Sequence, residues 1–215
     1  MRVLAVADRV DRRLEAPDAH ERTGQVDLLL GAGDLPYAYL AFLADKFNCT
    51  CVFVAGNHDK PLTWDRFGEA ESGPRGWVYA ANRVVQTDGV LVAGLSGSIA
   101  YNPGKPFQYS QNEMWEQALR LAVKIMWATI QRRRRLDFLL THSPAAGIND
   151  GTDYAHQGFL AVRWLLDRFQ PRYFIHGHMH RYDPRLPMRS MHGKTEVINA
   201  FDFQLIDADV GAPNR

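Results

Sequence analysis

The sequence predicts an α/β protein, read as one domain over residues 1–215. Three observations carry this. Apolar runs of strand length alternate with longer runs of helical period along the whole chain. Several of the apolar runs stop on the same few residue types, Asp, Asn and His. Hydrophobic residues at 46% and charged residues at 23% are ordinary for a packed globular chain, and no internal repeat or low-complexity linker divides it.

The elements follow in order. Residues 2–7, "RVLAVA", form a short buried strand that ends at Asp8. Residues 11–24 are polar and suit a loop with a short helix. "VDLLLGAGD" is a second buried strand, ending at Asp34. "LPYAYLAFLADKFN" is a helix with Pro36 near its first turn. "TCVFVAGNHD" is a third strand, ending at Asn57, His58 and Asp59. "RVVQTDGVLVAGLSG" is a hairpin about Asp88-Gly89. The longest helix begins at Ser110, where Ser110 and Glu113 make a capping box, and positions 114, 118, 121, 122, 125 and 126 form its apolar stripe. "LDFLLTH" is a strand. "GFLAVRWLLDRF" is a helix stopped by Pro171. "RYFIHGHMH" is a strand ending in polar residues, and residues 188–209 close the chain as two or three antiparallel strands with a turn near Gly193-Lys194.

Composition excludes several classes. The net charge of +1 gives no global field for nucleic acid or membrane. The two cysteines, Cys49 and Cys51, are too few for a disulfide scaffold and read as small buried residues on one face of a strand. No run reaches the ~18 apolar residues of a membrane span, and the start lacks an export signal, so a cytoplasmic location is expected. Arg132–Arg135 reads as a solvated helix end rather than a phosphate-binding patch, so nucleic acid is possible but not indicated. Trp115 and Trp127 are expected in the core.

The chemistry is expected at the strand ends. Asp8, Asp34, Asn57-His58-Asp59, His142, and His178 with His180 each follow an apolar strand. In sheets fed by βα connections, ligands bind off the carboxyl ends of the strands. Carboxylates and imidazoles crowded out of water need compensation, and a divalent cation supplies it. Oxygen and imidazole donors without thiolate suit Mn, Fe, Zn or Ni. His178 and His180, two apart, leave an extended segment by the same face, with Gly177 giving the backbone room to turn. His176 points the other way and reads as a core histidine or one that stands behind the ligands.

The stretches "GAGD" (31–34), "GNHD" (56–59), "TH" (141–142) and "GHMH" (177–180) resemble, in order, the motif set of the calcineurin-like metallophosphoesterases. The resemblance covers most of the chain. It implies two mixed β-sheets packed face to face with helices outside, and two divalent metal ions, Mn or Fe first and Zn, Ni or Co as further options. By the same resemblance Asp34 bridges both ions, Asn57, His142 and His178 complete one, and Asp8 and His180 bind the other. The resemblance also implies that His58 stands beside the metals as general acid or transition-state hydrogen-bond donor and that Asp59 orients it. The implied activity is hydrolysis of a phosphomonoester or phosphodiester by a hydroxide activated between the metals. The substrate would be a small phosphate ester or a nucleotide.

One corner departs from the family. The usual first motif is Asp-x-His, and here it reads Asp8-Arg9-Val10. Valine cannot ligate, so the Asp8/His180 ion should bind more weakly unless Asp11 substitutes. That gap motivates the alternative of a catalytically weak binding or scaffold protein on the same fold. Around the centre, the polar loop 142–159 supplies Asp150, Asp153 and His156 as candidate substrate residues, and 97–110 supplies Tyr101 and Asn102 as an opposite wall. Oligomeric state is not legible.

Overall fold

The computed structural model describes residues 1–63, 73–102, 104–180 and 187–210. Pro103, inside the predicted wall 97–110, lies outside them. In chain order the elements are β1 (Arg2–Ala7), α1 (Arg12–Glu15), α2 (Ala19–Thr23), β2 (Leu28–Gly31), α3 (Tyr37–Phe47), β3 (Thr50–Phe53), β4 (Trp77–Tyr79), β5 (Val84–Thr87), β6 (Val90–Leu95), β7 (Ser98–Ile99), β8 (Gln108–Tyr109) and α4 (Gln111–Arg132). They continue with β9 (Phe138–Thr141), a 3₁₀ turn (Tyr154–His156), α5 (Leu160–Phe169), β10 (Tyr173–His176), β11 (Arg189–His192), β12 (Thr195–Asn199) and β13 (Asp202–Asp207).

Two mixed sheets dominate. One has the order β13-β1-β2-β3-β4, with β1 to β4 parallel and β13 antiparallel at the edge. The other has the order β11-β12-β10-β9-β6-β5, parallel in its middle and antiparallel at both edges. The side-chain period of two builds the layers. Val3, Ala5, Leu28, Leu30 and Val52 face Val92, Phe138, Leu140 and Ile175 between the sheets. On the outer side, Leu4, Val6 and Leu29 meet Tyr39, Leu40 and Leu43 of α3. On the far side, Leu91, Leu139 and Phe174 meet α4 and α5 through Met114, Ala118, Leu121, Ile125, Val162 and Leu165. The result is the expected face-to-face pair of sheets with helices outside. Among the described residues no helix is long and apolar enough to cross a membrane.

The capping box at Ser110 and Glu113 is present, and the Asp88-Gly89 turn has both residues at positive φ, as a two-residue hairpin requires. Pro36 is the N-cap of α3, next to its first turn as expected. Three expectations change. Cys49 is only half-buried beside the buried Cys51. Met126 and Trp127 are exposed, outside the stripe that packs on the sheet, while Trp115 packs on Trp164 at 5.6 Å. The closing strands do not form one antiparallel set: β11 and β12 pair as a hairpin, but β12 runs parallel to β10, and β13 crosses to the other sheet beside β1. The crossing occurs at Phe201-Asp202, where Asp202 has φ +63°.

The arginine run is partly built into the structure. Arg134 pairs at 2.8 Å with the fully buried carboxylate of Asp137, which also accepts the Leu91 N–H at 2.9 Å and faces Arg172 at 3.4 Å. Arg135 donates to the carbonyls of Gln170 and Pro171. Arg132 and Arg133 remain exposed.

Candidate metal centre

Because β1, β2 and β3 are mutually parallel, and β9 and β10 are too, their carboxyl ends come out together at one end of the sandwich. The opening strand stops at Asp8 because Asp8 adopts φ +65°, which breaks the pleat. Asp34 (φ +58°) and His178 (φ +65°) do the same. Asp and His are among the side chains that tolerate this left-handed region, and strained residues of this kind gather at functional sites. The Asp8 N–H donates to the Gly33 carbonyl at 3.1 Å, tying β1 to the turn after β2.

The loops pack too closely for side chains at two glycines. A Cβ on Gly33 (φ +92°) would lie 2.4 Å from the Gly56 nitrogen and 2.7 Å from Nδ1 of His142. One on Gly177 would lie 2.8 Å from Ala7 Cβ and 2.9 Å from Oδ2 of Asp8. Gly177 is therefore required for closeness, and the turn expected there is made by His178 instead.

The hydrogen bonds reveal which atoms are left to face the centre. His142 is fully buried, and its Nδ1 donates to the Ala32 carbonyl at 2.7 Å. That assigns the lone pair to Nε2, which faces Oδ1 of Asn57 at 3.0 Å and Oδ2 of Asp34 at 3.4 Å. Asn57 is turned that way because its Nδ2 donates to the Tyr101 hydroxyl at 2.9 Å. His178 donates from Nε2 to the Ala155 carbonyl at 2.8 Å, which leaves its Nδ1 as acceptor. One donor atom each from Asp34, His142 and His178 lie within 4.8 Å of one another. Electron pairs on nitrogen and oxygen that converge like this repel unless a proton or a cation stands between them, and this donor set fits a divalent ion.

Charge follows burial. Burial lifts the Asp8 carboxyl to about 7. Burial also pushes Asp34 upward, but the adjacent His142 outweighs it and holds Asp34 down at about 2. His142, against its own burial, is drawn up to about 9 by Asp34. Burial and the neighbouring His142 push His178 down to about 3, which keeps its imidazole neutral and able to ligate.

Asp8 accepts the His178 N–H on both oxygens at 3.0 Å and lies 4.0 Å from Nε2 of His180. His180 packs on the Phe201 ring at 5.1 Å, and the Arg9 guanidinium lies 5.0 Å from the same ring while pairing with Asp202. Asp11 does not join the centre. It caps α1, accepts from the Arg13 N–H at 2.8 Å and pairs with the Arg13 guanidinium at 2.5 Å. Val10 packs against the apolar cluster under α3.

Of the predicted acid pair, His58 is exposed and lines an open cavity of about 450 Å³ with Asp34, Tyr37 and Lys60, and its N–H donates to Asp34 at 2.8 Å. Oδ2 of Asp59 accepts the amides of Gly56 (2.7 Å) and Asp34 (3.0 Å), so this oxygen braces the strand ends rather than the His58 ring. Among the substrate candidates, His156 lies 5.1 Å ring to ring from His178, with Nδ1 held by Asp153 at 2.8 Å. Asp150 accepts the Gly158 N–H at 3.2 Å and shares a small cavity with His180. Tyr101 reaches the centre through Asn57. Asn102 is exposed, and its N–H donates to Gln108; no hydrogen bond joins it to the centre among the described residues. His176 is fully buried in the core, as expected. Sequence reasoning missed Phe201, Arg9 and the carbonyls of Ala32 and Ala155. A carbonyl carries no residue-type signal, and Phe201 lies far along the chain in an unmarked strand turn.

A family model for calcineurin-like phosphoesterases matches residues 1–182. The chain belongs to the calcineurin-like phosphoesterase family. This is a family of metal-dependent phosphoester hydrolases, and the Asp34, His142 and His178 group is a donor set that can hold an ion. Among curated proteins, this calcineurin-like chain is 27% identical over 209 residues to a UPF0046 protein of Caenorhabditis elegans, covering 85% of this chain and 67% of that one. Among solved structures, TT1561 of Thermus thermophilus has the same fold at a TM-score of 0.64 and 19% identity, covering 96% of this chain and 93% of that one. Another crystal structure gives 0.61 at 16% identity, with 95% and 94% covered.

Proposed function

We propose that this calcineurin-like chain hydrolyses small phosphomonoesters or phosphodiesters with two divalent cations held across the junction of the sheets. The observation that carries the reading is the convergence of lone pairs from His142 Nε2, Asn57 Oδ1 and Asp34 Oδ2. Asn57, Asp34, His142 and His178 would hold one ion, and Asp8 and His180, with Asp34, would hold the second. Nitrogen and oxygen donors without thiolate favour Mn or Fe, with Zn, Ni and Co as further options. Ions bound there would polarise the phosphoryl oxygens and lower the pKa of a water towards ~7.

The chain's own residues do the rest. His58, at the wall of the open cavity, donates a proton to the departing oxygen. Asp59 holds the Gly56 and Asp34 amides, so the strand-end loops keep their spacing when the ester enters. His156, oriented by Asp153, donates a hydrogen bond to a phosphoryl oxygen from the His178 side, and Asp150 braces the loop that carries them.

The test is turnover of p-nitrophenyl phosphate and bis-p-nitrophenyl phosphate with Mn. Activity should fall by ~10²-fold or more in His58→Ala and be nearly abolished in Asn57→Ala. Absence of turnover with Mn, Fe, Co, Ni and Zn alike would reject the proposal. A second reading, a catalytically weak binding protein, rests on the Asp8 corner: Val10 packs away and Asp11 is committed to Arg13. On either reading the Asp8/His180 ion binds more weakly than its neighbour, and two equally tight sites in a calorimetric titration would dismiss that.

A further inference from the structure

The helix α4 buries one stripe and exposes another. Leu119, Val123, Met126, Trp127 and Ile130 recur at helical spacing on the side away from the sheet and are between 45% and 69% exposed. Their combined exposed apolar area is on the order of 600 Å², at the top of the range a monomer ordinarily shows and typical of a surface with a partner. Beside them runs a groove of about 570 Å³ between α4 and β5, lined by Val84, Val123, Trp127 and Ala128 among others. The stripe spans eleven residue steps, ~16 Å of helix, and with its polar rim approaches the ~800 Å² per partner of a stable interface.

We infer that this face is the interface of a homodimer in which two α4 helices pack antiparallel about a two-fold axis near Val123 and Met126. The charges select the occupant. The end where the stripe begins carries exposed Glu113, held in the capping box, and exposed Glu116, 3.2 Å from Arg120 of the same helix, and the end where it stops carries exposed Arg132 and Arg133. Antiparallel packing sets each acidic end on the partner's basic end and opposes the helix dipoles, whereas parallel packing sets like on like. A second copy is complementary by construction, since a two-fold interface brings the same surface to itself. Trp127 enters the groove of the other copy as the central anchor. Trp127 lies sixteen residues, ~24 Å, along the helix from Gln111, which holds the loop of His156, so its replacement leaves turnover alone.

Analytical ultracentrifugation of the full chain tests the inference. A dimer is expected at micromolar concentration, weakened at least tenfold by Trp127→Glu with the far-UV spectrum unchanged. Glu116→Arg should weaken it and Arg133→Glu in the same chain should restore it, an outcome a misfolded variant would not give. A wild-type monomer up to several hundred micromolar overturns the inference, including the case where this face binds a different protein. So does a dimer that survives Trp127→Glu.

Discussion

At the scale of single residues, His142 and Asp8 set how the site responds to protons. In the chelated protein His142 titrates near 9 against an ordinary 6.5, so its pairing with Asp34 stabilises fully below pH 6.5 and is lost as pH rises through 9. Asp8, lifted from 3.8 to about 7, also favours the fold while protonated, and that contribution disappears as pH rises through 7. Below pH 6.5 the depressed His178 works in the opposite sense, so the net loss of stability in the chelated protein should fall between about pH 6.5 and 9. Cations displace the same protons, so added Mn should stabilise more at about pH 8.5 than at about pH 6. Melting temperatures with chelator and with Mn across that range check both signs, and a pH-independent gain from Mn would refute the assignment. Tyr101 acts on the centre through the Asn57 amide. Tyr101→Phe should lower metal affinity or turnover ~10-fold, with metal titration as the readout and melting temperature as the control.

At the scale of elements, the centre depends on strands that stop abruptly and on loops that nearly touch. Gly177→Ala would drive a methyl into Ala7 and the Asp8 carboxylate. It should cost ~1–3 kcal/mol and, on the proposed two-ion reading, weaken the ion at Asp8 and His180 first, as read by denaturation and calorimetry. The buried Asp137 joins β6, the end of α4 and the start of β10 through Leu91, Arg134 and Arg172. Asp137→Ala would strand two arginines and should cost ~3–5 kcal/mol in urea unfolding, with retained metal binding in the folded fraction. A loss below about 1 kcal/mol would mean that the arginines reach water and are not held by this carboxylate.

At the scale of the whole molecule, the candidate ligands come from both sheets. Asp8, Asp34 and Asn57 follow strands of one, and His142, His178 and His180 follow strands of the other. Ions held between them would fasten the two sheets at the open end of the sandwich. Saturation at about 100 times Kd stabilises by ~2.7 kcal/mol, which for a chain of this size is a melting shift of roughly 5–10 °C. Removing the metal should reverse that shift, and Asn57→Ala should show little of it. β13 contributes at the same scale: by crossing to β1 it brings Phe201 and Asp202 to Arg9 and His180, so the last strand walls the corner made by the first.

The sequence by itself determined the alternation of strands and helices, the ordered motifs and the family they mark, because those depend on local periodicity and on residue types that carry the chemistry. It also exposed the odd corner at Asp8-Arg9-Val10. Only the tertiary structure decided that Asp11 belongs to Arg13, that Val10 faces the apolar cluster under α3, that Tyr101 orients Asn57, and that Trp127 lies on the outer face of α4 rather than in the chain's own core. Each of these turns on which neighbour lies within reach. Residues tens of positions apart in the chain meet only when the sheets close, and a helical period shows that a face is apolar without showing what lies against it.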